Sequence, residues 1–171
     1  MVLAAGAATR FGSPKQRLLL PRVLERVRTS CVGDVVVVLG AHDVETDART
    51  VRAHDWEDGP GASLRAGLNT FAPEIEAAVI VLADGPNLSA AAIDRVVETW
   101  RADGSPVLAA SYGGVRGHPV LLAREVWATV PDEGARALEP QLIPCDDLGA
   151  PGDVDTADDL PVGRFDAPPA E

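Results

Sequence analysis

Lysine is almost missing from this sequence: Lys15 is the single one among 171 residues. Cysteine is nearly as scarce, and Cys31 and Cys145 form neither a metal-binding spacing nor a disulfide framework. Both are expected to be buried thiols. No apolar run approaches the roughly 20 residues needed to span a bilayer, so no membrane partner is expected. The first residues lack the charged start, long apolar stretch and small-residue cleavage site of a signal peptide, which predicts a cytoplasmic protein. Cations as a class are outnumbered, with 15 Lys and Arg against 26 Asp and Glu and a formal net charge of -11. That balance argues against a nucleic-acid partner, whose phosphates must be neutralised by basic side chains. Small anionic ligands remain open, because they need only a few local cations or a bridging metal, and a surface acidic excess aids solubility.

What is present fits one globular domain. Hydrophobic residues make up 46% and charged residues 24% of the chain, and at this length roughly 70% of the unfolded surface can be buried. The run DVVVVLG (34–40) is continuously apolar between turn residues, as expected of a strand covered on both faces, and AAVIVLADGP (77–86) repeats the pattern. Between them a helix is expected from about Ala62 to Phe71 after its Gly-Pro-Gly start, and Ser89 is expected to cap a helix that Gly104 closes. A strand over 106–111, a glycine-rich turn GGVRGHP, a short strand VLLA, a helix REVWATV and a last strand QLIPC complete the reading. Strands alternating with helices predict an α/β fold, a mostly parallel sheet with helices on both faces, in which ligands bind beyond the carboxyl ends of the strands. This places LAAG (3–6), ADGP (83–86) and the turn before His118 on one rim. Residues 163–171, proline-rich and acidic, read as a frayed tail after a domain spanning 1–162.

Three segments carry the chemistry. The opening loop LAAGAATRFGSPK lacks G-x-G-x-x-G, having Ala8 where a second glycine is required, and also lacks the Gly-Lys-Ser/Thr of a Walker loop. It retains exposed backbone N–H groups and two cations, Arg10 and Lys15, able to cradle a triphosphate; the alternative is a solvated surface lysine. Asp84 stands immediately beyond a buried strand, placed to bind a hard cation through oxygen or to close an Asx-type turn. In GDVDTADDL, Asp153 and Asp155 are two apart and project to one side of an extended chain, where they would complete the metal site of Asp84 or cap a short helical turn.

In this order, LAAG-x-x-x-R-x-G-x-x-K, L-x-D-x-P, G-x-P and D-x-D-T-x-x-D-L resemble the MobA-like NTP transferases over about residues 2–160, nearest to the molybdenum cofactor cytidylyltransferase branch. DWEDGPGASLRAGL and GHPVLLAREVW add to the likeness. The resemblance implies a three-layer α/β/α, Rossmann-like domain of GT-A type. It implies an enzyme that moves a nucleoside monophosphate from a triphosphate to a phosphorylated acceptor such as molybdopterin or molybdenum cofactor, releasing pyrophosphate. By position, Leu3, Ala4, Ala5 and Gly6 would hold the nucleotide through their backbone, Arg10 and Lys15 the triphosphate, and Ser63 and Leu64 the nucleoside. Asp84 and Asp155, with Asp153 beside them, would hold Mg²⁺; Gly117, His118 and Pro119 would line the acceptor pocket. Ala5, giving LAAG rather than LAGG, points to CTP. A transient contact with the enzyme that receives the cofactor is also implied.

Three features depart from the family's pattern. The first strand has about four residues, which predicts weak anchoring. QRLLLPR (16–22) is shorter than the usual stretch and lacks its glycine-bearing turn. Asp84-Gly85-Pro86 replaces Asp-Gln-Pro, keeping the carboxylate and losing an amide. Two other readings compete: a Rossmann-like oxidoreductase, against which the missing G-x-G-x-x-G counts, and a non-catalytic nucleotide-binding relative, which the shortened segment after Lys15 favours.

Overall fold

The computed structural model describes residues 1–6 and 16–152. Within them lie seven strands, β1 (Val2–Ala4), β2 (Val36–Leu39), β3 (Arg49–Arg52), β4 (Ala77–Leu82), β5 (Val107–Tyr112), β6 (Val115–Ala123) and β7 (Gln141–Pro144). Three α-helices accompany them, α1 (Gln16–Arg28), α2 (Pro60–Leu68) and α3 (Ala90–Asp103). The strands form one sheet in the order β3-β2-β1-β4-β6-β5-β7, in which β6 alone runs antiparallel to its neighbours.

Side-chain alternation along the strands divides the core in two. Val37 and Leu39 pack with Leu20, Val23, Leu24 and Val27 of α1 and with Ile93 and Val96 of α3. Val36 and Val38 point the other way, onto Leu64 and Leu68 of α2 and onto Trp127 and Val130 of the stretch after β6. Helices therefore cover both faces of the sheet, in the three-layer α/β/α arrangement the sequence predicts. The strands read as continuous apolar runs because neither face meets water.

Several local expectations are corrected. The helix expected over 62–71 spans Pro60–Leu68, with proline in its first turn where a missing N–H costs nothing. Ser89 precedes α3 as expected, but it serves through its backbone: Ala92 N and Ile93 N donate to Ser89 O, and the side chain makes no capping hydrogen bond. Gly104, at φ +70°, closes α3 through a hydrogen bond from its N–H to Trp100 O. The turn in GGVRGHP is confined to Gly113 and Gly114, at φ +61° and +76°, the two left-handed positions of a tight hairpin. Tyr112 pairs with Val115 across it, so Val115–Pro119 belongs to a nine-residue strand and the four-residue VLLA is only its second half. REVWATV forms a 3₁₀ helix over Arg124–Thr129; Pro131 restricts Val130 to an extended conformation and keeps the turn short. Cys145 is buried as expected, whereas Cys31 is exposed at the turn after α1.

Two elements were not expected at all. QRLLLPR is itself the start of α1, with Pro21 inside the helix. RTVR is an edge strand whose outer residues, Arg49 and Thr50, face water. The weak anchoring expected of the first strand is not found. β1 has three residues but lies in the middle of the sheet, pairs with β2 and β4, and receives Val81 N–H on Met1 O and Ala83 N–H on Leu3 O. The Met1 α-amine donates to Val79 O at 2.7 Å, and burial pushes its pKa down to about 5.

Candidate functional site

The parallel strands end on one rim, and β6 begins there. At the carboxyl end of β1, Ala4 and Ala5 are buried, Leu3 is half-buried and Gly6 is exposed. Ala41 N donates to Ala5 O at 3.2 Å, and a Cβ on Gly40 would stand 2.5 Å from that oxygen, so only glycine lets β2 approach the loop this closely. Arg52 closes the same corner, donating to Gly40 O at 2.7 Å and pairing with Asp43. The loop continues toward Arg10 and Lys15, which lie outside the described residues.

Asp84 is level with this loop because β1 and β4 are neighbours: Ala83 N–H donates to Leu3 O at 3.0 Å, one residue before the aspartate. The side chain is half-buried and its Oδ1 is enclosed. The turn it begins continues with Gly85 N–H on Leu82 O and Leu88 N–H on Gly85 O, which leads directly into α3. The chain comes back to this turn much later, where Asn87 N donates to Pro151 O at 3.0 Å. Asp153 and Asp155, the other predicted metal ligands, follow Gly152 and lie outside the described residues.

His118 reaches the same place from β6. Its Nδ1 is 3.3 Å from Ile80 O. A carbonyl only accepts, so this bond requires the proton on Nδ1 and leaves the lone pair of the neutral ring on Nε2. Tyr112 Oη donates to His118 O at 2.9 Å, and a Cβ on Gly117 would meet the Tyr112 ring at 3.0 Å. The histidine thus stands on a strand with its main chain and ring both held, not in the loop where the sequence placed it. Pro119, joined to His118 by a cis peptide bond, is buried. A small cleft between Leu82, Gly85, His118 and Gly152 unites the β4 turn, β6 and the end of the described chain. A larger cavity among the described residues, near Met1, Cys31, Phe71 and Trp100 at the opposite end of the sheet, contains none of the predicted site residues.

The MobA-like NTP transferase domain model matches residues 1–140. The chain belongs to that family. Its fold is that of Rv0371c from Mycobacterium tuberculosis H37Rv, at TM-score 0.74 and 27% identity, with 92% of this chain and 93% of that one covered. A structure of Rv0371c in complex with manganese aligns at TM-score 0.71 and 26% identity, covering 92% of each chain. An Rv0371c homolog from Mycobacterium sp. strain JC1 gives TM-score 0.76 and 27% identity over 92% of this chain and 90% of that one. CMP:2-keto-3-deoxy-manno-octonic acid synthetase in complex with CTP shares the fold at TM-score 0.68 and 13% identity, covering 91% of both chains. Among curated proteins none matches the chain. The protein is thus a member of a nucleotidyltransferase family, with the α/β Rossmann-like fold that its neighbours share.

For this MobA-like domain the donor chemistry at Asp84 fits a hard divalent cation: one carboxylate at a strand end, level with the carboxyl end of β1. Among the described residues no group of three His, Cys, Asp or Glu side chains could hold a metal without further ligands. Ser63 and Leu64, expected against the nucleoside, lie in the middle of α2. Both are buried, and the Leu64 side chain belongs to the core. No helix among the described residues is long and apolar enough to cross a membrane.

The structure adds residues that the sequence did not single out. Arg116, in the first half of β6, donates to Ala135 O and Leu138 O at 2.8 Å and to Arg136 O at 3.3 Å, and burial pushes its pKa down. It ties the stretch after β6 to the strand that carries His118. Arg95 of α3 grips both carboxylate oxygens of Asp147 at 2.7 and 2.8 Å and also Pro144 O. Its hydrogen bonds hold the Asp147 carboxyl below its usual pKa. Tyr112 had one available signal, being the only tyrosine in the chain. Burial raises its phenol to about 12, so it remains a donor across the physiological range.

Proposed function

We propose that the protein transfers CMP from CTP to a phosphorylated acceptor of the molybdopterin or molybdenum cofactor type, with release of pyrophosphate. The observation that carries this reading is the bond from Ala83 N–H to Leu3 O, which supports a nucleotide at the carboxyl end of β1 close to Asp84. Family membership supports nucleotidyl transfer in general. Ala5 in LAAG favours cytidine, and the manganese in Rv0371c favours a divalent ion.

In this reading the backbone of Leu3, Ala4, Ala5 and Gly6 orients the nucleotide, and Ser63 and Leu64 border the nucleoside. Arg10 and Lys15 neutralise the triphosphate oxygens as charge moves onto the leaving pyrophosphate. Asp84, with Asp155 and Asp153, would hold Mg²⁺ or Mn²⁺; when bound, the ion supplies charge neutralisation and alignment of the phosphates. Gly117, His118 and Pro119 face the acceptor. An acceptor phosphate oxygen attacks the α-phosphorus in line, a new phosphoanhydride bond forms, and the bond to pyrophosphate breaks. The attacking oxygen is already ionised near neutral pH, so no general base is required and the protein acts by positioning and electrostatics.

The test is pyrophosphate release from Mg²⁺, molybdenum cofactor or molybdopterin, and each of CTP, GTP, ATP and UTP in turn. Release with CTP alone supports the proposal, release with GTP alone overturns the base assignment, and release with none favours the non-catalytic alternative. Lys15→Ala and Asp84→Asn should each lower kcat by about 100-fold or more while leaving Tm within a few degrees, since each removes charge stabilisation made in the transition state.

A further inference from the structure

Three residues of β6 step out of the ladder beside the cleft. The β5–β6 register jumps from Ser111 opposite Arg116 to Ala109 opposite Val120, so Ala110 alone stands opposite Gly117, His118 and Pro119. This is a β-bulge, a device by which a strand re-aims a side chain. Pro119 has no N–H to give the ladder, and a bulge is one of the few places where a sheet admits proline. On the other side the β4–β6 pairing ends with Ile80 opposite Val120, and the His118 ring meets Ile80 O at 3.3 Å. Both ends of the bulge are fixed, since Arg116 donates to Ala135 O and Leu138 O, and Val120 is buried. Between them Tyr112 Oη donates to His118 O at 2.9 Å. The Tyr112 ring packs against the core that holds Ala110 and Cys145, and it lies so near Gly117 that a Cβ there would stand 3.0 Å from Cδ2 and Cε2.

We propose that Tyr112 is a positioning residue for the acceptor: its phenol anchors the bulge Gly117–Pro119 from outside the ladder and so fixes the direction in which β6 presents His118. The inference rests on the acceptor assignment proposed above. Tyr112 acts through the His118 main chain and not through contact with substrate. The ring sets the height of Gly117, and the hydroxyl pins the next carbonyl. With that carbonyl pinned, the ring of His118 keeps its Nδ1–H on Ile80 O.

The test is Tyr112→Phe, which keeps the ring over Gly117 and removes only the donor. Steady-state pyrophosphate release by the full chain is measured with Mg²⁺, CTP and molybdopterin or molybdenum cofactor. The KM for the acceptor should rise about fivefold, the scale of one lost hydrogen bond, while the KM for CTP and kcat stay within about twofold and Tm within a few degrees. Val115→Ala is the control: Val115 pairs with Tyr112 across the hairpin but is 70% exposed, and its loss should leave both KM values at the parent's. Nitrogen-15 NMR of the His118 ring gives a second readout without substrate. The parent should hold the Nδ1–H form, and Tyr112→Phe should shift the ring toward the Nε2–H form. A folded Tyr112→Phe that keeps the parent's acceptor KM, raises both KM values together, or leaves the His118 tautomer unchanged overturns the positioning role and leaves the acceptor reading standing. A parent chain that releases no pyrophosphate with these acceptors overturns the acceptor reading and the role with it.

Discussion

Asp147 shows how one side chain controls a distant segment. Its carboxylate faces the fixed fork of Arg95, and two parallel N–H bonds make the pair directional. Through that pair α3 holds the end of β7 and the stretch leading to Gly152. The pairing lowers the Asp147 pKa below the ordinary carboxylate value. A carboxyl with a depressed folded-state pKa stabilises the fold above its unfolded pKa, and that contribution is lost as pH falls through the folded value. Asp147→Asn should therefore lower Tm by about 1–3 °C at pH 7, because an exposed pair is worth little. The gap between variant and parent should begin to narrow below about pH 4, where the unfolded carboxyl protonates, and close only once pH falls below the depressed folded-state pKa. Paired melting curves at pH 7 and pH 3 check it; an undiminished gap at pH 3 would show that packing, not charge, holds the turn.

At the scale of elements, α1 contains a conflict between local preference and tertiary packing. Pro21 lies in the helix interior, where it removes a backbone hydrogen bond and crowds the preceding turn. Leu19, Leu20, Val23, Leu24 and Val27 are all buried, and their burial outweighs the defect. Pro21 itself is exposed, so Pro21→Ala opens no cavity. The substitution should stabilise the protein by about 1–2 kcal/mol, the helix gain of about 3 kcal/mol being partly offset by greater freedom of the unfolded chain. Urea denaturation at a constant m-value measures this, and an unchanged midpoint would mean that the helix bends to absorb the proline. The same conflict explains why α1 was not read from the sequence. Central strands were legible because burial on both faces leaves uninterrupted valine and isoleucine, as in VVVL and AAVIVL. The edge strand RTVR was not, since its arginines and threonine carry no apolar signal, and Arg49 is spent on Asp34 and on the face of Phe71. The β5–β6 hairpin was misplaced for another reason. Glycine at 113, 114 and 117 reads as one flexible stretch, yet Gly113 and Gly114 make the turn while Gly117 only makes room for Tyr112.

For the whole molecule, the α/β reading put the three predicted segments on one rim but did not say which strands adjoin there. Asp84 and His118 declared themselves by motif, but only the strand order sets β1, β4 and β6 side by side, and no spacing in the chain encodes that order. Arg116 and Asn87 carried no signal because their partners are backbone carbonyls, which every residue has. The rim joins a first half, β1 to β3, to a second, β4 to β7, and the described strand pairing between the halves is the short β1–β4 ladder, Val2 with Val81 and Leu3 with Leu82. A triphosphate and metal held by the opening loop on one side and by Asp84 on the other would bridge that seam, and binding to the native state alone must stabilise it. At a ligand concentration 100 times Kd the gain is about 2.7 kcal/mol, which for a domain of this size raises Tm by about 5–10 °C. CTP with Mn²⁺ should produce this shift, either component alone a much smaller one, and Asp84→Asn should abolish it. Thermal melting across the four triphosphates then reports base preference independently of any acceptor. An equal shift with metal-free CTP would place the nucleotide away from Asp84, and the shared rim would lose its chemical meaning.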